Sequence, residues 1–318
     1  MYYIGIDLGG TNIKGAAVSP GGNVLWEGSR PTHSELGPEH VADEIAALIR
    51  DLDAKGSPEN AAGVGLGCPG TVDPDAGIVR YANNLHWDLF DLRKALKQRT
   101  GYSVQLANDA NAAALGEVAA GCAKDAESAV ILTLGTGLGS GVVLGGKLLT
   151  GYSGAAAELG HSVIVDNGWP CTCGRRGCLE AYASATGLIR MTREAMEAHP
   201  ESLLHELAAE QGTVDGQTAF LAKAQGDDTA AQVVRTYIHY LSLGIANIIN
   251  CFYPQIVALS GGIAKQGDNL LVPLREEVAS QVYGYRYLEK PTELICCSLG
   301  YQAGIIGAAM LAKLPKSF

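Results

Sequence analysis

No stretch of this 318-residue chain approaches the roughly 18 uninterrupted apolar residues of a membrane helix. The nearest, residues 130–151, is broken by glycines, threonines, a serine and a lysine. No span and no membrane partner are expected. The opening MYYIGIDLGG lacks the basic start of a secretory leader, and Asp7 interrupts its apolar run. Basic residues are in deficit: 23 Lys and Arg against 33 Asp and Glu leave a net charge of −10. A nucleic-acid partner needs a basic face, so none is expected. Any anionic substrate must instead be held by local backbone donors or a metal. Eight cysteines are too sparse for a disulfide scaffold. The chain reads as cytoplasmic, where thiols stay reduced, and Cys68, Cys122, Cys251, Cys296 and Cys297 read as scattered, mostly buried thiols. No low-complexity or linker-like segment occurs either. The length suggests about two domains, and a short hinge must join them.

Glycine, by contrast, is plentiful, with 41 residues gathered after short β-rich runs. YYIGID (2–7) predicts a buried strand, IKGAAVS (13–19) its hairpin partner, and 39–54 an amphipathic helix. GVGLG (63–67) and VQLAND (104–109) predict further strands, the second leading into the helix ANAAALGEVAAG. At 129–145 the opening pattern of strand, glycine turn and strand restarts. Laid over one another, Asp7 meets Thr133 and Gly9 meets Gly135, which suggests two similar lobes. A long helical stretch, 181–250, precedes the strand QIVALS (255–260). Strands alternating with helices imply an α/β fold. Successive N–H groups in a glycine turn form a concave anion site without net positive charge. Loops Gly9–Gly10–Thr11, Gly135–Thr136–Gly137 and Ser260–Gly261–Gly262 are candidates for holding phosphates. GLGCPG (65–70) fits the dinucleotide fingerprint, but Pro69 and Pro74 bracket a turn-rich loop where that motif needs a helix. No P-loop motif is present.

Two further features carry chemistry. Asp109 stands where a strand meets an alanine-rich helix, and on spacing alone it is equally a helix N-cap or a reactive carboxylate. CTCGRRGC (171–178) holds Cys171, Cys173 and Cys178, with His161 ten residues upstream. Three sulfurs and one imidazole make a Cys₃His zinc set, although the C-x-C start differs from the usual C-x₂-C, and reduced thiols are the other reading. Four protein ligands would leave no open position, so such a metal would be structural.

DLGGTNIK (7–14), GLGCPGTVD (65–73), NDANAAALGE (108–117), LGTGLGSG (134–141), ELGH (158–161) and CTCGRRGCLE (171–180) occur in an order that resembles the ROK family of sugar kinases, its bacterial glucokinases most of all. The resemblance runs from about residue 3 to about residue 312. It implies a two-lobed, actin-like and ribonuclease-H-like α/β fold with the active site in the interlobe cleft. An N-terminal lobe would cover 1–108, with the C-terminal helix, about 301–318, packing back on it. A larger lobe, 109–300, would carry the zinc site. The implied reaction is ATP-dependent phosphorylation of the 6-hydroxyl of a hexose, glucose to glucose 6-phosphate, with Asp109 as general base. The resemblance also implies sugar contacts from Gly70, Asn83, Asn108, Asp109, Glu158, His161 and Glu180. Nucleotide contacts would come from Asp7, Gly9, Gly10, Thr11, Lys14, Thr133, Gly135, Thr136, Gly137, Gly261 and Gly262, with Asp7 aiding Mg²⁺ through water. Zinc would be held by His161, Cys171, Cys173 and Cys178, tying together the segments of Glu158 and Glu180. Loops 9–11 and 135–137, remote in sequence from the cluster, are expected to be little affected by loss of that metal. A homodimer is usual in the family. Ser140, Ser260 and Ala157 depart from its commoner glycines. Within the class, N-acetylmannosamine kinase is the runner-up. A sugar-responsive repressor is the rival from another class, and a chaperone or filament protein would leave the cysteines and ELGH unexplained.

Overall fold

The computed structural model describes residues 1–313, so the end of the expected C-terminal helix, 314–318, lies outside the described residues. The fold is mixed α/β. Its first sheet runs in the order Val24–Pro31, Asn12–Val18, Tyr3–Leu8, Val64–Cys68, Gln105–Asn108. The first three strands form an antiparallel meander. Val64–Cys68 then pairs parallel with Tyr3–Leu8, and Gln105–Asn108 parallel with Val64–Cys68. A second five-stranded sheet follows the order Lys147–Leu148, Leu138–Leu144, Ala129–Leu134, Ile256–Ser260, Glu293–Cys296. In both sheets the chain order of the strands is third, second, first, fourth, fifth. The restart read at 129 is therefore a repeat of topology.

Side-chain periodicity explains the first sheet. Ile4, Ile6 and Leu8 alternate onto one face of Tyr3–Leu8 and are fully buried. Helix Pro38–Lys55 covers that face with Val41, Ile45, Leu48, Ile49 and Leu52, spaced at three and four residues. Gly37 precedes this helix and Pro38 opens it, a position where the missing N–H costs nothing. On the other face, Ile305, Ile306, Ala309 and Met310 of helix Gln302–Lys313 pack against Ala16 and Val18. Truncating a buried Ile49 to Ala would cost about 2–5 kcal/mol.

Two parts of the chain differ from the sequence expectation. The helical stretch 181–250 is five helices: Leu179–Ala183, Ala185–Ala198, Leu204–Gln211, Thr218–Ala224 and Asp228–Phe252. Ser184 and Asp227 interrupt the pattern because their side chains cap new helices, accepting from Gly187 N and Ala230 N. The region after Pro69, read as turns, holds a small antiparallel sheet of Thr71–Asp73, Ile78–Ala82 and Trp87–Phe90. These strands of three to five residues are too short for a period to show.

Contacts divide the chain into two compact units. One comprises Met1–Ile131, Gly141–Ala157 and the chain from Cys297; the other comprises Leu132–Ser140 and Glu158–Cys296. In the first unit, Glu117 is 1% exposed and pins the segment entering the last helix. Its carboxylate accepts the N–H groups of Cys122 (2.9 Å), Leu299 (3.0 Å) and Ser298 (3.3 Å). Removing the acceptor leaves several part-buried donors without it, at up to about 1–3 kcal/mol each where water cannot replace it. Glu117→Ala should lower unfolding stability by about 3 kcal/mol or more in urea titration, and Glu117→Gln by less. An unchanged midpoint in Glu117→Ala would show that water replaces the carboxylate without loss.

Candidate active site

Parallel pairing brings three strand ends together in the first unit. Asp7 lies opposite Gly67, and Cys68 opposite Asn108, so the segments Asp7–Leu8, Pro69–Gly70 and Asn108–Asp109 emerge at the same sheet edge. The carboxyl ends of parallel strands are where open α/β sheets bind ligands. Asn108, in extended conformation, caps helix Asp109–Ala120 by accepting from Ala110 N (2.9 Å) and Asn111 N (3.3 Å). Its amide also donates to the Gly70 carbonyl at 3.0 Å. Gly70 holds φ 91, and a Cβ there would strike the Tyr81 carbonyl, so only glycine serves. That contact sets Gly70 beside the strand leading to Asn83, whose side chain accepts from Tyr81 OH. Asp109 is thus the first helical residue and not the cap. Its carboxylate accepts the neighbouring Ala110 N–H at 2.9 Å.

The electrostatics of the two aspartates are unusual. Asp109 is open to solvent and Asp7 partly so, yet protein crowds around both. Asp7 is pushed up to about 6, first by desolvation and then by the charge of Asp109, with Lys14 opposing. Lys14 lies opposite Asp7 in the hairpin, and its ammonium stands 5.0 Å from the Tyr301 ring centre. Desolvation also raises Asp109, against the pull of the Ala110 N–H. A carboxyl raised in the fold binds its proton more tightly there than in the unfolded chain. Asp7 therefore subtracts stability progressively as pH rises from about 4, and fully above about 6. Asp7→Asn should unfold at higher temperature than wild type at pH 7.5, and the gain should vanish near pH 4. An equal gain at both pH values would point to packing rather than charge.

Each of the first two glycine turns is closed by a bond from its first glycine, over three residues in one and two in the other. Gly9 N–H donates to Asn12 O, and Gly135 N–H to Gly137 O, each at 3.0 Å. Gly10, Thr11 and Thr136 are left exposed at the tips. In the second unit, Thr133 precedes the turn, and Gly261, at φ 91, packs its backbone against Leu134. The 135–137 and 261–262 turns therefore adjoin. Gly262 is exposed beside them.

The cysteine cluster also belongs to the second unit. Glu158 leads into the turn Leu159–His161, and Cys178 opens helix Leu179–Ala183, which carries Glu180. Leu179 N–H donates to Ser162 O at 2.8 Å, tying the two segments. One ligand atom from each of His161, Cys171, Cys173 and Cys178 lies within 4.8 Å of all the others. Tetrahedral zinc, with bonds of about 2.3 Å to sulfur and about 2.05 Å to nitrogen, sets sulfur edges near about 3.8 Å and mixed edges near about 3.6 Å. Cys173 and Cys178 sulfurs lie 3.7 Å apart, and Cys171 sulfur lies 3.6 Å from His161 Nδ1. The donor set fits zinc. Glu117, Cys122 and Cys297 also lie close together, but the Glu117 oxygens already serve the backbone N–H groups named above. Ala157 sits at φ 67, a conformation glycine adopts without strain.

Sequence reasoning missed two residues. Glu180 Oε1 accepts the Thr172 hydroxyl at 2.9 Å, and Glu180 Oε2 accepts the Leu138 N–H at 2.9 Å. Gly304, on the last helix, would bring a Cβ within 3.2 Å of the Asp7 carboxyl carbon. Thr172 is an unmarked letter between two cysteines, and Gly304 one glycine among many. Neither carried a signal.

The sequence profile of the ROK family matches residues 3–314. A glucokinase of Thermotoga maritima is 42% identical over 98% of this chain and 96% of its own. A solved ROK glucokinase of Streptomyces griseus, in complex with glucose and AMPPNP, superposes with a TM-score of 0.79 at 33% identity, covering 98% of this chain and 99% of that one. A xylose repressor of Bacillus subtilis is 31% identical over 98% of this chain and 76% of its own. The match from one end to the other, with the repeated sheet topology and the histidine–cysteine cluster, establishes that the chain belongs to the ROK family.

Proposed function

We infer that the protein is an ATP-dependent hexose kinase that converts glucose to glucose 6-phosphate. The observation that carries this reading is Asp109: a raised carboxylate at the ends of parallel strands, released from helix capping because Asn108 does that work. A repressor needs to bind a sugar, but it has no use for a base. The likeness to glucokinases and to a structure holding glucose and an ATP analogue supports the same assignment.

A kinase holds a hydroxyl in line with the γ-phosphorus and takes its proton as the new bond forms. Asp109 accepts the proton of the 6-hydroxyl, and a carboxylate raised above its ordinary range does so more readily. Gly70, Asn83, Asn108, Glu158, His161 and Glu180 hold the sugar hydroxyls. The N–H groups of turns 9–11, 135–137 and 261–262 hold the phosphates, with Thr133 and Lys14 beside them. Asp7 would hold Mg²⁺ through water, and the metal would supply charge neutralisation to the phosphates. His161, Cys171, Cys173 and Cys178 would hold zinc, fixing the segments that carry Glu158 and Glu180. We place the enzyme in the cytoplasm, because eight cysteines are too sparse for a disulfide scaffold, and as a homodimer on the strength of the family resemblance. None of the described helices is long and apolar enough to cross a membrane.

A coupled ADP-release assay over glucose, mannose, fructose, allose, N-acetylglucosamine and N-acetylmannosamine tests the reading. Glucose should give the largest kcat/KM. A larger value for N-acetylmannosamine would replace glucose by the runner-up, and no turnover with any sugar would favour the repressor.

A further inference from the structure

The Glu180 carboxylate is shared between two loops. Oε2 accepts the Leu138 N–H at 2.9 Å, just past the glycine turn, and a Cβ on Gly137 would approach that oxygen to 2.5 Å. Gly137 therefore makes room for a carboxylate of the protein itself. Oε1 takes the Thr172 hydroxyl at 2.9 Å, with the Cys171 sulfur 3.5 Å from the same oxygen. Glu180 sits on a helix of only five residues, and its long side chain has several torsions to lose on being fixed. The Thr172 hydroxyl limits that freedom by placing its hydrogen on Oε1. Thr172 lies between two cysteines of the zinc set, so the metal-bound loop delivers that hydroxyl.

We propose that Thr172 is a positioning residue for the hexose, orienting Glu180 so that its carboxylate serves the sugar while gripping the glycine turn through Leu138. This rests on Glu180 being a hexose ligand, as proposed above. A consequence follows for the nucleotide. A hexose that fixes Glu180 also steadies the Leu138 N–H, so hexose and nucleotide strengthen each other's binding through one side chain.

Thr172→Val keeps the shape and removes only the hydroxyl. A hydrogen bond to a charged group is at stake, so the glucose KM should rise about 10-fold while kcat stays within about 3-fold. Zinc per chain and melting temperature should not change, and Thr172→Ser should restore the KM. AMPPNP affinity, measured with and without saturating glucose, should show a gain from glucose in wild type that shrinks in Thr172→Val. A wild-type or lowered glucose KM in Thr172→Val overturns the proposal. So does a rise in KM that comes with loss of zinc, since Thr172 would then only shape the loop. Glu180→Gln separates the two layers: an unchanged glucose KM there sinks Glu180 as a sugar ligand. If Glu180→Gln is impaired and Thr172→Val is not, only the role of Thr172 fails.

Discussion

Asp109→Asn should lower kcat for glucose by about 10²-fold or more while the melting temperature holds or rises slightly. The kinetic loss follows from removing the base, since a positioned proton acceptor contributes about 10²–10⁴-fold. The intact stability follows from local structure. Asn108, not Asp109, caps the helix, and Ala110 N–H keeps its bond to Asn108 Oδ1. Desolvation holds the Asp109 carboxyl above its ordinary value, so losing its charge relieves the fold at neutral pH. In wild type the base must be ionised, so activity should fall as pH drops through a range above that of an ordinary carboxylate. A variant that keeps wild-type turnover would return Asp109 to a purely local role at the helix start.

The second large effect belongs to the metal. Wild-type protein should carry one zinc per chain through mild dialysis, and Cys173→Ser should carry none. Stability should fall by about 3 kcal/mol, and the glucose KM should rise at least about 10-fold. Distance along the chain suggested that the turn 135–137 would be spared. The Glu180–Leu138 hydrogen bond corrects that expectation, because the turn leans on a carboxylate whose other oxygen is held from the cysteine loop. Cys173→Ser should therefore raise the ATP KM as well, by a smaller factor. His161→Ala should weaken glucose binding further, since its ring nitrogen away from the metal is proposed to meet a sugar hydroxyl. A zinc-free Cys173→Ser with wild-type glucose affinity would separate the metal from function.

What could be read from the sequence follows the reach of each signal. The β-rich run YYIGID (2–7) gave the first strand, and the amphipathic pattern over 39–54 gave the helix, each to within a residue. The repeat at 129 was legible because strand, glycine turn and strand recur in order. The family motifs pointed to the cluster and to both aspartates. Choosing the cap was beyond the sequence: Asn108 and Asp109 are adjacent, both good caps, and only backbone geometry selects Asn108. The break-up of 181–250 was hidden because polar caps such as Ser184 and Asp227 look like ordinary surface residues of one helix. Thr172 was invisible for a different reason. Its role depends on where a glutamate eight residues away points its side chain.

The most direct test of the central claim is a single-turnover experiment with ATP labelled at the γ-phosphorus, excess enzyme and glucose at pH 8. Wild type should transfer the label to the 6-oxygen of glucose, and Asp109→Asn should make the same product at least about 10²-fold more slowly with substrate bound. Labelled inorganic phosphate without labelled hexose phosphate, or equal transfer rates in the two proteins, would contradict the account.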